Sequence, residues 1–112
     1  ATSAMAPSDV DEFDLAGLTA TASVKVAAPR VAESPVSFEC RLTQLIRLET
    51  KEGRELDQWL VIGEAVGIHI AADLIESGVY QTARARPILR GGGPVDYFEV
   101  TEAARFEMRR PD

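Results

Sequence analysis

The sequence predicts a mainly β domain built around two long antiparallel strands, at 36–48 and 59–70, with a short N-terminal helix and two shorter strands. Three observations carry this. Residues 36–48 alternate between apolar and polar side chains, residues 59–70 form an apolar run rich in branched residues, and turn-forming stretches flank both. With 112 residues and 46% of them hydrophobic, the chain has the size and apolar content of one domain, so 1–112 is read as a single domain.

The opening ATSAMAP lacks apolar periodicity and predicts a loop or arm. Ser8 is the expected cap of the first helix, with Asp11 completing an S-x-x-D arrangement. The acids Asp9, Asp11, Glu12 and Asp14 suit the positive end of a helix, and water is the simplest partner for them. Gly17 is placed to end the helix in a left-handed conformation. Between Leu18 and Pro35 a short strand is expected at Ser23–Val26, inside a connector that its prolines keep at an edge.

In the first long strand Val36, Phe38, Cys40, Leu42, Ile46 and Leu48 are expected on a buried face. Ser37, Glu39, Arg41, Thr43 and Arg47 fall on an exposed one, and Gln44 and Leu45 break the pattern. The polar stretch Glu49–Gln58 contains Gly53 and should turn the chain. The next strand, Trp59–Ile70, is apolar on both faces and reads as central; Gly63 and Gly67 on one face imply a bulge or the close approach of another backbone or a flat ligand. Ala71–Arg86 predicts a short helix or turn that Pro87 ends. Strands are then expected at Ile88–Leu89 and Asp96–Val100, on either side of the Gly91-Gly92-Gly93-Pro94 loop.

Eighteen acidic residues against twelve basic ones give a net charge of −6, which opposes attraction to nucleic-acid phosphates. The lone Cys40 excludes an intrachain disulfide and fits a reducing, cytoplasmic setting, and His69 as the lone histidine leaves no zinc-like cluster. No apolar run nears the roughly 20 residues that span a bilayer, so no membrane segment is expected. A start at Ala1 rather than at methionine suggests a processed or truncated product. Small domains bury little of their surface, which makes a homodimer the default expectation.

No side chains form a triad, and no catalytic residue is assigned. His69, between two isoleucines, reads as structural, and Cys40 on the apolar face as a buried, inert thiol. Glu64 shares a face with Leu60, Ile62, Val66 and Ile68, so burial there would demand a partner such as an arginine. Six of the ten arginines lie in the last 29 residues, which suits an interface, an anionic ligand or dispersed surface charge alike. In Arg90–Tyr97, RGGGPVDY, glycine amides can approach a ligand closely, arginine can meet a phosphate and tyrosine can stack on a ring. A plain turn is the simpler reading of those residues alone, because neither a Walker loop nor a dinucleotide fingerprint surrounds them.

Taken in order, DEFDLAGL at 11–18, PRVAESPVSFEC at 29–40, LVIGEAVGIHI at 60–70 and ARPILRGGGPVDY at 85–97 resemble the C-terminal half of the flavin reductase-like family. The subgroup it is most similar to contains flavoredoxin and the flavin-reducing components of two-component monooxygenases. The resemblance implies the C-terminal half of an FMN-binding split β-barrel, whose upstream half, holding most of the flavin site, is absent from these 112 residues. It implies a homodimer with FMN near the subunit interface, NADH or NADPH as hydride donor and a monooxygenase as acceptor of the reduced flavin. Arg90, Gly91, Gly92 and Tyr97 match the family's R-G-G-x-x-Y segment and inherit a cofactor-binding role. A noncatalytic FMN-binding module, or a structural half-domain that needs a complementary chain, is the alternative.

Overall fold

In the computed structural model, which describes residues 7–111, the chain divides into two compact units, Ala1–His69 and Ile70–Asp112. The expected arm at 1–7 lies outside the described residues except for Pro7.

In the first unit, a single short helix α1 spans Glu12–Ala16. Its cap is Asp11, whose carboxylate accepts the Phe13 amide at 2.8 Å. The cap expected at Ser8 is corrected: residues before Asp11 form a turn closed by Val10 N–H to the Pro7 carbonyl, which leaves Ser8 outside the helix. Gly17 ends α1 at φ +66, as its freedom from a Cβ allows. Strands β1 (Ala20–Thr21) and β2 (Arg30–Val31) pair antiparallel. The strand expected at Ser23–Val26 does not form; those residues belong to the loop between β1 and β2, whose amides are taken by side chains instead of a ladder.

Strands β3 (Val36–Glu49) and β4 (Glu55–Ile70) make a long hairpin. Arg47 bonds the Leu56 carbonyl, Thr43 bonds that of Ile62 and Glu39 meets His69, so the strands run in opposite senses. The turn is tighter than Glu49–Gln58. Thr50 N–H bonds the Arg54 carbonyl and Gly53 N–H bonds that of Thr50, with Gly53 at φ +81, which lets β4 start at Glu55. Gly63 marks a close approach: a Cβ there would stand 3.3 Å from both the Arg41 carbonyl oxygen and Cys40 Cβ.

The face expected to be buried is not. Phe38 is 60% exposed and Leu42 63%, Cys40 is exposed, and on β4 Trp59 and Val61 are half-exposed or more. Glu64 is also exposed and forms no ion pair among the described residues. Both corrections have one cause: no second layer in this unit covers either face of the ribbon. A two-stranded ribbon is marginal in water by itself, and an apolar face of this length requires cover.

The second unit is built from short elements. A 3-10 turn at Ala72–Leu74 leads into β5 (Ile75–Glu76) and β6 (Val79–Tyr80). Ser77 and Gly78 both have positive φ, +50 and +77, as a two-residue hairpin loop of this twist requires. Helix α2 (Thr82–Ala85) ends at Arg86 just ahead of Pro87. Strands β7 (Ile88–Arg90) and β8 (Tyr97–Glu99) pair antiparallel, and a 3-10 turn follows at Glu102–Ala104. Leu74 and Glu39 are the only buried residues among those described.

The close approach at Gly63 yields a test. Gly63→Val drives a branched side chain against the β3 backbone and is expected to destabilise the folded protein by about 1–3 kcal/mol. A lowered urea midpoint at unchanged m-value checks it.

Candidate functional site

The residues expected to bind cofactor, Arg90, Gly91, Gly92 and Tyr97, are gathered on the β7–β8 hairpin. Arg90 and Tyr97 are register partners, so their side chains leave the ribbon on the same face. Tyr97 is half-exposed. The Arg90 guanidinium is exposed and reaches the Pro94 carbonyl at 3.4 Å; among the described residues it forms no ion pair. Its neighbours differ: Arg84 pairs with Glu76, Arg86 with Glu99, and Arg105 with Glu102 and Glu107. The Glu99 carboxylate beside Arg86 raises the pKa of that guanidinium further. Three of the arginines clustered late in the sequence are thus internally neutralised, whereas Arg90, like Arg109 and Arg110, forms no ion pair among the described residues.

Glycine shapes the tip between these two residues. Gly91 N–H bonds the Asp96 carbonyl at 3.2 Å, and a Cβ at Gly91 would sit 3.4 Å from the Phe98 ring. Gly92 has φ +84, which a side chain would strain. The hairpin thus carries an exposed cation and a half-exposed aromatic ring on one face, on either side of a glycine turn whose Gly91 and Gly93 amides are bonded to Asp96.

The first unit holds a second polar constellation, which the sequence pattern concealed. Glu39, expected on the exposed face of β3, is 1% exposed. Its carboxylate accepts the amides of Val24 at 2.8 Å and Lys25 at 2.5 Å, and meets His69 Nε2 at 2.6 Å. Arg30 Nε stands 3.9 Å away. The Val24 hydrogen bond does most to lower the Glu39 pKa to about 2; burial opposes it, and the bonds from Lys25 and His69 add to it. With Glu39 ionised, His69 Nε2 is the donor, which fixes a proton on that nitrogen. His69 therefore has a partner that counting histidines could not supply. Gly67 makes room for the group, since a Cβ there would lie 3.4 Å from Glu39 Cβ and Cδ.

Glu33 repeats the arrangement on a smaller scale, both of its carboxylate oxygens accepting the Thr19 amide at 2.9 and 3.0 Å. Those bonds hold its pKa below the usual carboxylate range. The two glutamates of the PRVAESPVSFEC stretch thus bind the backbone of residues 19–25.

The Flavin reductase like domain family matches residues 1–89. Among solved structures, nitrilotriacetate monooxygenase component B from Bacillus cereus is similar to this chain with 32% identity and a TM-score of 0.82, over 96% of this chain and 51% of that one. The 2-nitrobenzoate 2-nitroreductase of Pseudomonas fluorescens shares the fold at 24% identity, with a TM-score of 0.72 over 94% of this chain and 50% of its own. An uncharacterised protein of Halalkalibacterium halodurans is 34% identical over 94% of this chain and 48% of its own length. The chain therefore spans about half the length of the relatives it matches. Among the described residues no helix is long and apolar enough to cross a membrane.

The Glu39 constellation sets a pH dependence. Its pKa falls from an ordinary 4.5 to about 2 on folding, so its stabilising contribution is complete above about pH 4.5 and is lost as the pH falls through 2. Thermal melts between pH 6 and pH 2 are expected to show this loss. Glu39→Gln should remove it, because an amide presents an NH2 to one of the donors the carboxylate now accepts. The variant should melt several degrees lower at pH 7 and show a flatter acid limb.

Proposed function

The chain belongs to the flavin reductase-like family, and from that premise we propose that the protein containing it is an NAD(P)H-dependent FMN reductase with FMN held at the interface between two copies. The Arg90–Tyr97 hairpin is the observation that carries this reading. It brings a guanidinium without an ion-pair partner among the described residues and a half-exposed ring onto one face of a hairpin whose turn glycines carry no side chains. The flavin, when bound, would supply the hydride-accepting chemistry, so the protein needs no nucleophile of its own.

The chain's residues have narrower tasks. Arg90 meets the anionic portion of the ligand with a fixed fork of donors. Tyr97, its register partner, offers a ring against which a planar group packs. Gly91 and Gly92 keep side chains out of the approach. The bare β3–β4 ribbon favours the dimeric part of the reading, because a second chain is one way to cover it. A monooxygenase is the proposed acceptor of the reduced flavin, by likeness to the component from Bacillus cereus.

The same bare ribbon favours a second reading for this stretch taken by itself, a half-domain that binds no flavin until a complementary chain closes it. Titrating FMN into the full-length protein and mixing it anaerobically with NADH or NADPH separates the readings. The reductase is expected to bind FMN and bleach its visible absorbance with one of the nucleotides. Flavin that binds yet stays oxidised with both would leave a noncatalytic flavin module. Arg90→Ala is expected to raise the Kd for FMN about 10-fold or more, since a charge-assisted hydrogen bond is lost.

A further inference from the structure

The tip of the β7–β8 hairpin contains one carboxylate, Asp96, six residues after an arginine that has no ion-pair partner among those described. The Asp96 carboxylate turns into the loop: Oδ2 accepts the Gly93 amide at 3.1 Å, while the Asp96 backbone carbonyl accepts the Gly91 amide at 3.2 Å. One residue thus binds the first and third amides of the glycine triplet. Between them Gly92 takes its left-handed conformation, with its Cβ direction 3.8 Å from Asp96 Oδ2.

Gly93 completes the device. A Cβ there would lie 2.5 Å from Asp96 Oδ2, so any side chain at 93 expels the carboxylate from its place. An expelled carboxylate no longer accepts the Gly93 amide, and the turn loses the side-chain bond that orders it.

We propose that Asp96 is the positioning residue of this site, its carboxylate pinning the glycine turn through the Gly93 amide so that the turn holds Arg90 and Tyr97 on one face for the anionic group of the flavin. This rests on the reading of the hairpin as part of a flavin site. Asp96 touches no ligand in this arrangement. It acts through the loop, and a neutral oxygen in the same place does the same work.

FMN titrations of the full-length protein, followed by flavin fluorescence, test it. Asp96→Ala is expected to weaken FMN binding about 10-fold, the loss of a hydrogen bond that orders the loop. Asp96→Asn, whose amide oxygen can still accept the Gly93 N–H, is expected to bind within about threefold of the parent. Gly93→Ala should weaken binding as Asp96→Ala does but add little to it in the double variant, because both remove one contact.

Hydrogen exchange at the Gly93 amide, measured without flavin, should quicken in Asp96→Ala and not in Asp96→Asn. Unchanged exchange in the paired strands β7 and β8 of the same variants shows that the hairpin itself remains folded. Wild-type affinity in Asp96→Ala, an Asp96→Asn as weak as the alanine variant, or full additivity of the two substitutions would each overturn the proposal. Failure of the parent protein to bind FMN would overturn the flavin reading itself, and this one with it, while unchanged Gly93 exchange would remove the positioning role alone.

Discussion

A carboxylate taken out of water must find donors for its lone pairs, and the first unit is organised around how Glu39 does so. Its donors come from two places in the sequence, the amides of Val24 and Lys25 and the ring of His69 near the end of β4, while the Arg30 guanidinium at β2 stands 3.9 Å off and contributes charge without a hydrogen bond. None of these segments holds its position by apolar burial, because Glu39 is the only buried residue of this unit among those described. The loop between β1 and β2 has no ladder to satisfy its amides, and the carboxylate replaces one. Glu33 does the same for Thr19, so the irregular stretch ahead of β3 is fastened at two points by side chains.

The rest of the unit is a ribbon in want of a layer. Strands of 14 and 16 residues pair only with each other among the described residues, and their large apolar side chains stay open on both faces. The relatives in which the same stretch occurs are about twice as long. A long strand pair with apolar residues on alternate positions and no cover is what half of a closed barrel looks like when taken without the other half.

Backbone elements were largely legible in the sequence. The period of two in Val36–Leu48 located β3 to within a residue of its end, and Gly17 marked the close of α1. The start of β4 was missed because Glu55, Asp57 and Gln58 look like a turn; on an open ribbon nothing penalises polar residues, so strand pairing reaches down to Glu55. Burial was legible poorly, and for a physical reason. Alternation identifies which side chains share a face, but what covers that face is decided by chain elsewhere, so Phe38, Cys40 and Glu64 were assigned to a core that this stretch does not build. Glu39 was missed by the same logic in reverse, since a charged residue in an alternating strand is read as facing water. The signal that could have found it is the pairing of a strand glutamate with glycine at 67 and histidine at 69 on the neighbouring strand. At the hairpin of Arg90 and Tyr97 the two strands and the glycine loop between them were legible, while the bond from Gly93 to the Asp96 carboxylate was not, because a sequence does not say which donor a carboxylate meets.

Gly67 ties the fate of two positions together. Its missing side chain leaves the space that the Glu39 carboxylate fills, with the nearest atoms of that residue 3.4 Å from where a Cβ would stand. Substitutions at 67 and 39 are therefore coupled: a lone Cβ at 67 would just touch the glutamate, and any larger side chain there needs the room that a shorter residue at 39 leaves. Libraries that vary the two sites separately miss the larger residues at 67 that joint variation admits.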